Sequence, residues 1–270
     1  QQVQQRLRQK VHPFLLRRLK RVMAKELPER IDRIAYCTMT ADQRAVYRQL
    51  LESTSRQIVG MVNTQGFTRS RFMILKTLTR LRQVCCHLDL LKMPELQSKN
   101  PSGKLDLFME LLDEAMDGGH RVLVFSQFVS MLHIIRNELQ KRKTPFCYLD
   151  GSTVHRWDEV QKFNESPDIP LFLISLKAGG TGLNLTGADM VIHFDPWWNP
   201  AVEDQATDRA HRIGQSKTVY NVKLITRDSI EEKVLELQKR KRSVIDATLS
   251  ADADIVRTLS WEDVQDLLQL

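Results

Sequence analysis

The chain has 270 residues, of which 42% are apolar and 27% are charged, so it can bury the core of one large domain or of two smaller ones. Its longest apolar runs, VLVF and LFLISL, have the length of strands and fall far short of the roughly 20 residues that a helix needs to cross a bilayer, so no transmembrane helix is predicted. The net charge of +7 arises in residues 1–30, which contain nine Lys and Arg and two acidic residues. This segment is either a solvated helix face or a nucleic-acid contact.

The four cysteines lack the spacing of a zinc site or of a disulfide framework, which predicts reduced core residues. The chain starts at Gln1, shows no signal peptide, and its first residues look like the interior of a longer protein. We therefore interpret it as a monomeric fragment of an intracellular protein, cytoplasmic if the source is bacterial and nuclear if it is eukaryotic.

The first part of the chain, residues 1–96, is predicted to be helical. Thr40 and Gln43 have the spacing of a capping box, and apolar residues then recur at helical intervals as far as Val84. The polar, turn-rich residues 99–103 predict a boundary. The predicted domains are residues 1–100, 101–227 and 228–270.

After this boundary, short apolar runs alternate with helical patterns. The predicted strands are 122–126, 146–149, 171–175, 190–194 and 219–225, and the predicted helices are 105–116, 129–141, 157–163, 229–245 and 261–268. Apolar strands separated by helices favour parallel pairing through right-handed crossovers. The fold class is therefore predicted to be α/β, an open parallel sheet with helices on both faces.

Polar groups or glycines follow four of the predicted strands, at the edge where ligands of such sheets bind. They are Ser126 and Gln127, the turn at residues 150–153, the glycine-rich residues 175–182, and residues 195–199. Each alone is a routine turn, but hydroxyls and glycine amides at four adjacent strand ends can bind phosphate oxygens.

A helix with two arginines follows the last of these turns. Asn199 and Pro200 predict its start, and at 3.6 residues per turn Gln205, Arg209 and Arg212 share one polar stripe beside an apolar one. Solvated arginines are the alternative, but their position after a phosphate-type turn favours arginine fingers, which stabilise charge on a transferred phosphoryl group.

The groups that hold a nucleotide's magnesium are missing. A P-loop reads G-x-x-x-x-G-K-[ST], whereas Gly103 and Lys104 are accompanied by Ser98 in the first position and Leu105 in the last. The acidic residues 113–114 fall on an amphipathic helix and not at the end of an apolar strand.

The segments SLKAGGTGLNL, WWNP and DQATDRAHRIGQ together resemble motifs V and VI of the Swi/Snf-type DNA translocases, a branch of the superfamily 2 helicase-like ATPases. HPFLLRRLK, LRQVCCHLDLL, SGKL, RVLVFSQF and YLDGST resemble other segments of the same family in the same order. The resemblance implies a RecA-like carboxyl-terminal motor lobe, preceded by a helical protrusion and followed by bracing helices.

The resemblance also implies roles for individual residues. ATP and Mg²⁺ would be bound mainly by an absent first lobe, while Arg209 and Arg212 would reach the phosphates and Gln205 would help to position the cleft. Gly182, Leu183 and Asn184 would approach the ribose. The residues implied to face the backbone of double-stranded DNA are Ser126, Gln127, Gly151, Ser152, Thr153, Ser175, Lys177, Gly179 and Trp198, although an aromatic pair such as Trp197 and Trp198 is more often packed.

We therefore expect the second lobe of an ATP-dependent double-stranded-DNA translocase or remodeller, inactive without the first lobe. Two alternatives stay open. One is a lobe of a strand-separating superfamily 2 helicase, and the other is a non-catalytic module that binds DNA or a protein partner.

Overall fold

The computed structural model of the chain describes residues 27–93, 95–180, 182–247 and 259–269, so nearly all of the basic segment at residues 1–30 lies outside the described residues. Its strands are β1 (Arg30–Cys37), β2 (Val122–Ser126), β3 (Phe146–Leu149), β4 (Leu171–Ser175), β5 (Met190–His193) and β6 (Val219–Thr226). They form one all-parallel sheet in the order β1-β6-β5-β2-β4-β3.

The central strands explain why the sheet is parallel. Every residue of β2, VLVFS, and of β4, LFLIS, is buried, so both faces of these strands must be covered by other elements. Strands with two buried faces are typical of sheets whose crossovers are helices. All five strands predicted from the apolar runs are present.

The prediction that residues 1–96 are helical is wrong at Arg30–Cys37, which forms β1. This strand pairs with β6 in parallel, from Arg30 opposite Val219 to Cys37 opposite Thr226. Its sequence, RIDRIAYC, mixes charged and apolar residues because it lies at the edge of the sheet and is partly exposed. A strand with this mixture lacks the apolar run by which the other strands were predicted.

Helices cover both faces of the sheet, as expected. The described residues form α1 (Ala41–Gln65), α2 (Phe67–Cys86), a 3₁₀ turn (Leu88–Leu91), α3 (Gly103–Asp117), α4 (Val129–Lys141), α5 (Arg156–Glu165), α6 (Leu176–Gly179), α7 (Pro200–Thr207), α8 (Ile230–Ala247) and α9 (Trp261–Leu268). Thr40 and Ser260 each begin a helix with a capping box, and Ser102 caps α3. None of the described helices is long and apolar enough to span a membrane.

Three apolar cores hold these layers together. Helices α3 and α4 pack on one face of the sheet, where Phe108 and Ile135 contact a core that includes Val124. Helices α5 and α7 pack on the other face. In the third core, α1 and α2 pack against α8 and α9, so helices from the two ends of the described chain share apolar contacts. The domain boundaries at residues 100 and 227 remain predictions.

A buried ion pair links α3 to α8. The Lys104 ammonium lies 2.6 Å and 2.5 Å from the two carboxylate oxygens of Glu231, and both side chains are fully buried. The Thr226 backbone N–H donates to the same carboxylate at 2.8 Å. Burial by itself lowers the pKa of Lys104, but contact with Glu231 outweighs this effect and the pKa is raised. The Lys104 ammonium therefore stays charged inside the protein.

Candidate functional site

The carboxyl ends of β5, β2, β4 and β3 lie side by side along one edge of the sheet, because these strands are parallel neighbours. Ser126 at the end of β2 is opposite Ser175 at the end of β4. The predicted residues 126–127, 151–153 and 175–179 are therefore brought to the same edge, with residues 151–153 at its outer end because β3 is the last strand of the sheet.

A buried carboxylate joins the loops after β2 and β5. Asp195 accepts hydrogen bonds from the Ser126 hydroxyl and from the Gln127 backbone N–H, and the Arg82 guanidinium lies 3.4 Å from its carboxylate. Burial raises the pKa of Asp195 to about 6, against the opposing effects of Arg82 and Ser126. Ser126 is only 1% exposed, so direct contact between its hydroxyl and DNA does not fit this arrangement; its hydroxyl fixes the loop.

Trp198 is packed, and its predicted contact with DNA does not fit this position. Trp198 is 7% exposed, and its ring lies 5.3 Å from the guanidinium carbon of Arg82. The same carbon atom lies 5.7 Å from the ring of Trp197. Arg82 itself is 1% exposed and donates to the backbone carbonyl of Pro196. Stacking of an arginine on aromatic faces favours this buried arrangement. The sequence could not predict it, because Arg82 is more than a hundred residues from its partners.

Hydrogen bonds among its own residues hold the loop after β3 in place. Asp150 accepts from the Ser152 backbone N–H at 2.8 Å and from the Ser152 hydroxyl at 2.6 Å. Burial opposes ionisation of Asp150, but these hydrogen bonds and one from Tyr148 lower its pKa below the ordinary value. Gly151 and Ser152 are exposed and Thr153 is half-buried, so the backbone of this loop can be reached by a ligand.

The loop after β4 forms a short helix that requires close packing. The Ser175 hydroxyl accepts from the Ala178 backbone N–H at 3.4 Å and begins α6. Gly179 is buried, and a Cβ atom there would lie 2.7 Å from the ring of Phe125. Ser175 and Gly179 therefore shape the loop, and their burial does not fit direct contact with DNA, whereas the Lys177 side chain is exposed on its surface.

The predicted ribose residues form the next turn. Gly182 has a φ of 48°, in the left-handed region that glycine adopts without strain. Leu183 is 4% exposed and belongs to the core, so only its backbone is available for a ligand. Asn184 is exposed, and its backbone carbonyl accepts from the Asn164 side chain at 2.9 Å.

The two arginines do not lie on a helical stripe, which corrects the prediction. Asn199 caps α7 as expected, by accepting from the Ala201 backbone N–H, but the helix ends at Thr207. Arg209 and Arg212 lie in the turns that follow it. Helical spacing could not reveal this end, because no Gly or Pro marks it.

The two arginines have different surroundings. Arg209 is 8% exposed, and its guanidinium donates to the backbone carbonyls of Gly179 at 3.0 Å and Gly180 at 3.3 Å. Burial first, and then the charge of Arg212, lower the pKa of Arg209. Arg212 is exposed. Gln205 is exposed as well, and its Oε1 would lie 3.9 Å from a Cβ placed on Gly180.

A chain of polar side chains that the sequence analysis missed supports the end of α7, and its members other than the exposed Asp32 are buried. His193 Nε2 and the Thr207 hydroxyl are 3.0 Å apart, the Thr207 hydroxyl donates to the Asn221 side chain at 3.0 Å, and Asn221 donates to Asp32 on β1 at 2.6 Å. Burial first, followed by nearby cations, lowers the pKa of His193 to about 3, so the imidazole is neutral. A single histidine in an apolar strand does not indicate, from the sequence, which residues it hydrogen-bonds.

Two further contacts hold α7 against the sheet. Arg30 on β1 donates to Asp204 at 2.7 Å, and the buried carboxylate of Glu203 accepts from Lys223 on β6 at 2.5 Å. Glu203 also accepts from the Trp197 backbone N–H at 2.7 Å. The edge strand and its neighbour therefore position the helix that leads to the arginines.

The chain is similar to known protein families and to known proteins. The sequence profile of the helicase conserved C-terminal domain matches residues 103–214, and that of the SNF2-related domain matches residues 1–90. A putative ATP-dependent helicase/translocase of Bacillus subtilis is 36% identical over 98% of this chain and 29% of its own length. Human chromodomain-helicase-DNA-binding protein 1 is 38% identical over 87% of this chain and 14% of its own length.

Solved structures show the same fold. The C-terminal domain of the Sulfolobus solfataricus SWI2/SNF2 ATPase has a TM-score of 0.69 and 36% identity, covering 90% of this chain and 99% of that domain. The core of the same ATPase in complex with double-stranded DNA has a TM-score of 0.72 and 38% identity, covering 98% of this chain and 56% of that core. The chain spans about a quarter of the length of several curated relatives that it matches.

Proposed function

Since this chain belongs to the SNF2 family of ATP-dependent helicases and remodellers, we propose that it is the second lobe of a two-lobed motor that moves along double-stranded DNA. The observation that carries the proposal is the single strand-end edge that holds two different sets of groups. The glycine turn and the arginines lie against the loop after β4, and the exposed loop after β3 lies beyond it at the outer end of the edge.

Arg212 is the residue that we assign to the phosphates of ATP. It is an exposed cation next to Arg209, whose guanidinium is already bonded to the carbonyls of Gly179 and Gly180. Arg209 would therefore hold the turn in place while Arg212 stabilises negative charge in the transition state. Gln205 and the backbone of residues 182–184 would complete this side of the cleft. The first lobe would supply most of the contacts to ATP and Mg²⁺.

We assign the DNA backbone to the exposed members of the strand-end set. These are Lys177, the backbone and side chain of Ser152, and the backbone of Gly151 and of the half-buried Thr153. Gln127 is half-buried and its side-chain nitrogen is buried, so it is not among them. Such contacts to phosphates do not read base sequence, as a motor that moves along any duplex requires. Closure of the two lobes around ATP and their reopening after hydrolysis would alternate these contacts and step the motor.

The chain alone is expected to show no DNA-stimulated ATP hydrolysis, because the P-loop that holds the nucleotide would lie in the first lobe. A phosphate-release assay with and without duplex DNA measures this, and joining the chain to the first lobe in one polypeptide should restore turnover. Turnover by the pure chain that disappears in an Arg212→Ala variant would contradict the proposed division of the site.

Duplex binding by the chain is expected to weaken with salt, with a log-log slope of about 0.9 for each phosphate contacted. Lys177→Ala should reduce the magnitude of the slope by about 0.9, the contribution of one phosphate contact, because Lys177 is exposed at the strand-end edge. Lys141→Ala, which removes an exposed lysine on α4, is the matched control and should leave the slope unchanged. Duplex affinity that is insensitive to salt would contradict the assignment of these residues to DNA phosphates.

A further inference from the structure

Two strongly exposed apolar side chains lie beside the loop after β3. Val154 is 85% exposed, and Trp157, three residues later in the first turn of α5, is 66% exposed. A tryptophan offers a large apolar surface, and it is normally withdrawn from water unless it lies at an interface. We call Val154 and Trp157 the apolar ridge.

The ridge is held in place before any ligand binds. Arg156, which lies between its two members, donates from Nε to the Thr153 carbonyl at 3.3 Å and from a terminal nitrogen to the Gly151 carbonyl at 3.3 Å. The loop that precedes the ridge is therefore fixed at both of these carbonyls. A surface that is ordered in advance loses little conformational entropy on binding.

Charges of both signs lie around the ridge. The exposed Asp158 carboxylate lies 3.7 Å from the His155 ring nitrogen, and Glu159 accepts from the Tyr148 backbone N–H at 3.3 Å. Arg156 and the exposed Lys177 of the adjacent β4 loop are the cations at this end of the edge. An anionic partner that follows the row of strand-end loops reaches the ridge at the outer end of the row.

We propose that the apolar ridge packs against the deoxyribose edges of a DNA strand whose phosphates contact Gly151 and Ser152, an inference that rests on the proposed DNA-binding function. Sugar edges present C–H groups whatever the base sequence, so Val154 and Trp157 would contribute affinity without reading bases. Removal of apolar surface from water releases no counterions, so this part of the affinity is independent of salt.

The test measures binding of a labelled duplex to the 270-residue chain by fluorescence anisotropy at several salt concentrations. Trp157→Ala should weaken binding about tenfold at every concentration and leave the log-log slope unchanged. Trp157→Phe should keep most of the affinity, and Val154→Ser should lower it independently. Phe72→Ala is the matched control, because Phe72 is 80% exposed on α2 and should not affect binding.

The outcomes separate this inference from the proposed function. If Trp157→Ala binds like the original chain while Lys177→Ala still lowers the slope, the ridge does not contact DNA and the proposed function stands. If Trp157→Ala changes the slope, its effect is electrostatic and the inference is wrong. If the original chain does not bind duplex DNA at all, both proposals fail.

Discussion

Replacing Arg212 by alanine is expected to lower DNA-stimulated ATP hydrolysis about 10³-fold or more in the polypeptide that joins this chain to a first lobe. This loss corresponds to about 4 kcal/mol of transition-state stabilisation. The reason is structural: Arg212 is exposed, whereas the guanidinium of Arg209 is committed to two backbone carbonyls. Steady-state phosphate release at saturating ATP and DNA measures the effect.

The matched control is Arg142→Ala. Arg142 is also an exposed arginine, but it pairs with Asp113 on the surface between α3 and α4, away from the strand-end edge. We expect its removal to leave turnover within a factor of about two, as surface pairs contribute little. Duplex affinity should be nearly unchanged in the Arg212 variant. This result would distinguish a loss of catalysis from a loss of DNA binding. Turnover that stays within tenfold of the original would show that Arg212 is not the phosphate contact.

Lys104→Met is expected to cause the largest loss of stability, about 3–5 kcal/mol in the free energy of unfolding. The substitution fills a similar volume, but it leaves the carboxylate of Glu231 buried without its cation. The backbone N–H of Thr226 would then be its main remaining partner. Urea denaturation followed by circular dichroism measures the change.

A double variant tests the cause. In Lys104→Met with Glu231→Gln neither side chain is charged, and the amide oxygen can still accept from Thr226, so we expect recovery of at least half of the loss. Lys141→Met, which breaks the exposed pair with Glu138, should change the free energy of unfolding little. If the single and double variants unfold at the same urea concentration, the unpaired buried charge is not what destabilises the protein.

The parts of the fold that sequence predicts well are those whose signals are local. The runs VLVFS and LFLIS identify β2 and β4, and the residues Thr40 and Asn199 identify helix starts, because burial on two faces and helix capping each leave a mark within a few residues. The family motifs likewise identify the strand-end edge as the candidate site.

The parts that sequence does not predict depend on partners far along the chain. β1 is a strand only because β6 offers it an edge, and Trp198 is buried because Arg82 occupies the space between the loops. The different surroundings of Arg209 and Arg212 follow from where α7 ends and from the carbonyls of Gly179 and Gly180. Neither the end of the helix nor the carbonyl contacts can be read from the spacing of the arginines.

The pairing of β1 with β6 has a consequence for synthesis of the protein on the ribosome. Asp32 and its register partner Asn221 are separated by 189 residues, so β1 is made roughly 10–40 s before the strand that it pairs with, at the usual rate of about 5–20 residues per second. During this interval its backbone groups have no β6 to bond. The charges of Arg30, Asp32 and Arg33 discourage association with strands of neighbouring nascent chains. The charges that prevent the prediction of β1 from its sequence thus also oppose its association with other chains until β6 is translated.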